Sequence, residues 1–129
     1  MNFNKTTGEL IIYDEKFSAS TSQSLLTHLE GKGQLNLAIE NGNWKTFTFM
    51  PNNGVSDDEI ISFFVFRDSL LKSINISTKK EESSKKALRK IFTRLINDSA
   101  ESVNASWGSI DYGWDYKNSN DSIAINYAL

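Results

Sequence analysis

Asp111 and Asp115, four residues apart and preceded by Trp107, are the residues whose types and spacing come nearest to chemistry. Two carboxylates can divide acid and base work between them, as glycoside-cleaving pairs do. Side chains alternate sides along a strand, so Trp107, Ser109, Asp111, Gly113 and Asp115 are expected on one face. Ile110, Tyr112, Trp114 and Tyr116 take the other. At strand rise the two aspartate Cα atoms stand about 13 Å apart, too wide for a glycosidase pair unless the strand bends. Carboxylates beside a Trp on an open sheet face suit a binding surface better than a reaction. The competing arrangement is a helix over that face, which would make Trp107 a core residue.

The other candidates are weaker. Asp57, Asp58 and Glu59 form an acidic run able to meet a cation or a cationic partner, but without the alternating ligands and glycine of a calcium loop. His28 is the single histidine and the chain has no cysteine, so neither a nucleophilic triad nor a His/Cys metal site can be assembled. The seven glycines are scattered and make no phosphate-binding loop. No catalytic residue, metal site or cofactor is expected.

Charge is unevenly spread. Residues 79 to 94 carry seven basic and two acidic side chains, or +5, and the rest seven basic and fourteen acidic, or -7. Lys85, Lys86, Arg89, Lys90 and Arg94 would form one basic helix face, able to lie along the phosphates of a nucleic acid. The acidic remainder would repel a polyanion, which favours a solvated helix face.

These side chains need positioning. The 129 residues, 39% hydrophobic and 12% aromatic, suit a single α+β domain over 1–129. Glu9 to Tyr13 reads as a strand. Ser20 to Glu30 reads as a short helix with Leu25, Leu26 and Leu29 on one stripe. Gln34 to Glu40 and Trp44 to Met50 flank Asn41-Gly42-Asn43, a strong hairpin signal. The apolar run Glu59 to Phe66 predicts a central strand covered on both faces. Arg67-Asp68-Ser69 turns it into Leu71 to Thr78. Ser83 to Asp98 is a helix with Leu88, Ile91, Phe92, Leu95 and Ile96 on one face. A final hairpin spans Trp107 to Tyr127. The expected order is β-α-β-β-β-β-α-β-β, a mostly antiparallel sheet of about six to seven strands with two helices. Either Leu71 to Thr78 or the terminal strand is expected at an edge, open to a partner or to a twin subunit, so a homodimer is left open. No apolar leader and no membrane-length apolar run is present, and the expectation is a cytoplasmic protein.

The last segment carries a resemblance. Trp107-Gly108-Ser109-Ile110, then Tyr112, Asp115-Tyr116-Lys117 and Ser122-Ile123-Ala124-Ile125-Asn126-Tyr127 resemble the W-G-x-I, Y-D-P-K-S-G and S-S-I-x-I-x-Y ending of a loose group of small bacterial proteins. Gly8-Glu9-Leu10-Ile11-Ile12 and the Leu71 to Ser77 strand are similar as well, and together they cover about a third of the chain. Tyr116 stands where those proteins have Pro, and Asn118-Ser119-Asn120 replaces their Ser-Gly turn. Proteins of this kind are immunity-type partners of bacterial toxins, including those of contact-dependent growth inhibition systems. The resemblance implies a cytoplasmic protein that binds one toxin domain, often a basic nuclease, and neutralises it by occlusion without chemistry of its own. The expected contact residues are Trp107, Asp111 and Asp115, with Asp57, Asp58 and Glu59. A nucleic-acid-binding module on the basic helix, and a ligand-binding or enzymatic domain with a pocket between sheet and helix, are the alternatives.

Overall fold

The computed structural model describes residues 1–79, 84–98, 100, 102–115 and 120–128, with the side chains of 84–86, 114, 115 and 120 outside the description. Strands β1 (Asn2–Phe3), β2 (Leu10–Ile12) and β3 (Glu15–Phe17) form a small antiparallel sheet, and a 3-10 helix (Gln23–Leu29) follows. Strands β4 (Gly33–Asn41), β5 (Trp44–Pro51), β6 (Ile60–Arg67) and β7 (Leu70–Thr78) then lie side by side. After helix α1 (Ser84–Ile96) come β8 (Ser102–Ala105), β9 (Gly108–Asp115) and β10 (Asn120–Tyr127). The other seven strands form one antiparallel sheet in the order β4-β5-β6-β7-β10-β9-β8. The expected α+β class and mostly antiparallel sheet are what the chain forms.

Local chemistry explains most of this. Asn41 pairs with Trp44 and leaves Gly42 at φ 61 in a two-residue loop. Asp68 and Ser69, at φ 51 and 67, make the tight turn whose twist suits a hairpin, and Tyr13 and Asp14 at φ 56 and 62 do the same between β2 and β3. Neighbouring turns are also stitched together: Asn43 Nδ2 donates to Asp68 Oδ1 at 2.9 Å. In α1 the buried residues Leu88, Ile91, Phe92, Leu95 and Ile96 recur at helical spacing.

One face of the large sheet is the floor of the core. Helix α1 covers its β7 and β10 part, while the small sheet and the 3-10 helix cover β5 and β6. Phe17 of β3 stacks on Phe64 at 4.8 Å, and Tyr13 meets Phe49 edge-on at 4.8 Å. Leu26 and Leu29 close that side.

Four expectations are corrected. The segment expected as an ordinary helix over 20–30 is a 3-10 helix: Ser22 caps it through Ser24 N–H at 3.3 Å, but it buries only two leucines, too little to favour a longer α-helix. Strand β6 is central but buried on one face, with buried and half-buried residues alternating along it. Its apolar run therefore signals one covered face and one open apolar face. Leu71 to Thr78 and the terminal strand pair with each other in mid-sheet, and the edges are β4 and β8. Strands β1, β3 and β8 are additional short strands of two to four residues.

Two tyrosine hydroxyls sit inside the core. Tyr13 Oη donates to Ile60 O at 3.2 Å and lies 2.8 Å from Ser62 Oγ, and Tyr127 Oη donates to Gly8 O at 2.7 Å. Burial pushes both well above the usual tyrosine range, with Asp57 adding to the effect at Tyr13 and Glu9 at Tyr127. The folded state thus holds these protons more tightly than the unfolded chain. Their stabilising contribution is complete below pH 10 and is lost as pH rises beyond it. The expected result is a fall in urea stability of roughly 1 to 3 kcal/mol per pH unit above about pH 10, flattened in Tyr13→Phe and Tyr127→Phe. A flat profile in the wild-type protein would show that these hydroxyls are hydrated.

Candidate functional site

Trp107 does not share a face with Asp111. Ala105 pairs with Gly108, so Ser106 and Trp107 are the two-residue turn between β8 and β9. From there the indole swings back to the core side. It meets Phe3 edge-on at 5.4 Å and Tyr127 at 6.0 Å, and its Nε1–H donates to Lys5 O at 2.7 Å. Strict alternation from 107 fails because the chain reverses at that residue. Asp111 lies on the opposite, uncovered face, in the cross-strand row Thr48, Phe63, Asn75, Ala124, Asp111 and Ser102. Ser109 Oγ donates to its Oδ2 at 3.3 Å. The side chain of Asp115 falls outside the described residues.

A second group of carboxylates gathers where the β2–β3 turn meets the loop before β6. Asp57, held at φ 62, accepts the Tyr13 N–H at 3.1 Å through Oδ2 and the Met1 nitrogen at 3.1 Å through Oδ1. Its carboxylate therefore builds the corner. Asp58 closes the loop by accepting Gly54 N–H at 2.8 Å, while Glu59 is exposed and makes no ion pair among the described residues. The Tyr13–Asp57 bond brings Asp14 and Glu15 to the same corner, two acids that sequence reading missed. Their signal was present: Tyr13-Asp14 between apolar strands is a tight-turn site, and Asp tolerates the left-handed region it requires.

Among the described residues, the cations nearby have partners of their own. Lys32 Nζ donates to Tyr13 O at 2.9 Å and pairs with Glu15 at 3.8 Å. Lys79 Nζ donates to Pro51 O. His28 lies 3.3 Å from Glu15, a surface pairing. Among the described residues the corner gathers the carboxylates of Asp14, Glu15, Asp57, Asp58 and Glu59 against the positive charges of Met1, Lys32 and Lys79, and it presents exposed Asp14 and Glu59 and half-buried Asp58 to solvent. Among the described residues no three His, Asp or Glu converge as a metal site.

On α1, Arg89 lies over the Tyr112 ring at 5.1 Å, and Tyr112 donates to Asp121 at 2.9 Å. Arg89 is thus drawn toward the sheet rim. Lys90 and Arg94 are exposed and line a shallow open hollow with Thr93, Asn97 and Asp98. The side chains of Lys85 and Lys86 lie outside the described residues. This flank is cationic, but Asp98 interrupts it.

The uncovered sheet face divides in two. Its β7 to β8 half carries small polar residues, among them Ser73, Asn75, Asn126, Ser109 and Asn104, with Asp111 among them. Its β4 to β6 half is apolar: Ile39, Trp44 and Met50 are 60%, 42% and 48% exposed, and Ile61, Phe63 and Val65 are half-buried. Arg67 lies over the Trp44 ring at 5.4 Å. Strict alternation would send Leu35, Leu37 and Ile39 to one face. A bulge at Ala38 breaks it, because Leu37 pairs with Phe47 while Ile39 pairs with Thr46, and Ile39 turns outward.

No family model matches the chain, and no curated protein matches it either. A solved structure does: the complex of Rhs1-CT with its cognate immunity protein RhsI1 contains a chain with a TM-score of 0.67 and 21% identity. The match covers 98% of the present chain and 86% of that chain. The likeness is one of fold, and it runs along almost the whole of the present chain.

Proposed function

We propose that this protein is an immunity-type inhibitor that binds a bacterial toxin domain and neutralises it by occlusion. The observation that carries the reading is the fold shared over 98% of the chain with a chain of a toxin–immunity complex. Occlusion is the mechanism its surfaces favour. The sequence has one histidine and no cysteine, and that histidine is paired with Glu15 at the surface. Such a protein acts in the cytoplasm, as the antagonist of Rhs-type or contact-dependent growth inhibition toxins. The described helix is too short to cross a membrane.

The partner this surface suits is basic, as a nuclease domain is. The acidic corner of Asp14, Asp58 and Glu59 would steer such a domain and meet its Lys or Arg side chains, and Asp111 would add a carboxylate on the open face. Asp57 contributes by holding the corner in shape. Asp14→Lys with Glu59→Lys is expected to weaken binding of the toxin domain recovered from the native cell by about 100-fold, mostly through slower association at low salt. Titration calorimetry at two salt concentrations reads this. Asp111→Lys tests the sheet face separately. If all these variants bind as the wild type does, the toxin sits on another surface. If the wild type gives no protection to cells making the toxin, the immunity reading itself is wrong.

A further inference from the structure

We infer that strand β4 is the seam of a homodimer in which two copies pair their β4 strands antiparallel about a two-fold axis. The inference stands apart from toxin binding and rests on the edge itself. A sheet edge presents unpaired N–H and C=O groups, and proteins usually blunt it with short strands, lysine, proline or a β-bulge. At the opposite edge β8 is four residues long. Strand β4 is nine residues long, GQLNLAIEN, with no lysine or proline; apart from an isolated bridge between Gly33 at its start and Glu30, it pairs among the described residues only with β5, and its one irregularity is the bulge at Ala38.

Both faces of this strand offer apolar surface. Leu37, on the core side, is 47% exposed, and the bulge at Ala38 puts Ile39, 60% exposed, on the other side. A second β4 would cover both at once. A globular partner resting on the open face would cover Ile39 and leave Leu37 in water.

Charge selects the occupant. The only charged residue in β4 is Glu40, which faces Lys45 across the hairpin. A basic toxin would find one carboxylate there. A second copy meets no repulsion, since any pairing centred between Leu35 and Leu37 keeps the two Glu40 side chains at least about 20 Å apart. An antiparallel edge is also self-complementary under a two-fold axis.

The area fits a modest dimer. Leu37, Ile39 and Trp44 together expose roughly 300 Å² of apolar surface per copy, taking about 200 Å² for each free side chain. Two copies supply roughly 600 Å², near the apolar share of the smallest stable interfaces. Half-dimerisation is therefore expected between about 1 and 100 μM.

Sedimentation velocity of the full chain from about 1 to 300 μM tests this, a range spanning the expected constant. The mass should rise from 14.6 kDa toward twice that value. Leu37→Lys and Ile39→Lys, both at exposed positions and checked for unchanged far-UV circular dichroism and Tm, should stay monomeric. Met50→Lys, on the same open face but one strand in, should dimerise like the wild type. A wild type that stays monomeric throughout overturns the inference. So does a dimer that survives the β4 substitutions, or one lost in Met50→Lys, which would mean face-to-face packing. A monomer whose β4 variants lose the toxin instead would give this edge to the toxin, and would leave the immunity reading intact.

Discussion

Gly108→Ala is expected to cost about 4 kcal/mol of stability, read as a lower urea midpoint with an unchanged slope. Gly108 sits at φ +141, a region other residues rarely adopt, and an added Cβ would lie 1.9 Å from Asn126 O and 3.0 Å from Ala128 N. Both obstacles are backbone. Ala128 N–H donates to Trp107 O at 2.8 Å, and Tyr127 pairs with Gly108, so the terminal strand cannot retreat without breaking its own ladder. Backbone strain contributes about 1 to 3 kcal/mol and the forced overlap a similar amount. Gly113 is the control on the same strand. A Cβ added there would meet nothing within 4 Å, so Gly113→Ala should change stability by less than about 1 kcal/mol. Equal stability of the two variants would mean that β9 and β10 are not pressed together at residue 108.

Trp107→Ala has the next largest expected effect, a loss of about 3 kcal/mol. The indole is half-buried, so the cost belongs near the lower end for removing a large aromatic side chain. What goes is its packing on Phe3 and Tyr127, its hydrogen bond to Lys5 O and its seat against Gly8. Gly8 has no room for more, since a Cβ there would lie 2.6 Å from the indole ring. Trp107→Phe keeps a ring in the seat and loses the hydrogen bond, and should cost about 1 kcal/mol. Thermal unfolding separates the three proteins. A partner-binding anchor would behave in the opposite way, with stability kept in Trp107→Ala and toxin affinity lost.

These two variants also say what the Trp107-Gly108 motif is for. The pair, with Gly8 more than 90 residues earlier, closes the C-terminal hairpin onto the N-terminal strands. The resemblance to immunity-type proteins therefore rests on residues that hold the fold. The contact surface proposed above lies elsewhere, at exposed residues such as Glu59 and at Asp14, which also serves the β2–β3 turn at φ 62.

Neighbouring residues by themselves determined much of this protein. The turns at Gly42 and at Asp68-Ser69, the four strands they join, the helical spacing from Leu88 to Ile96 and the last hairpin were all legible, because each follows from backbone preferences and periodicity over a few residues. The acidic balance outside the helix was legible too, as was the lack of a His/Cys constellation. Only the tertiary structure decided which face of the sheet is covered. Alternation says that Phe63 and Phe64 point opposite ways, and it takes α1 and the small sheet to bury one and leave the other half-open. It decided that β10 enters between β7 and β9, which moved the free edge to β4. It also decided that Asp57 is a brace and Trp107 a clasp, since their partners Tyr13 and Lys5 lie 44 and 102 residues away along the chain. A polar or aromatic group is satisfied by whatever the fold brings to it, and across such separations local pattern carries no record of the partner.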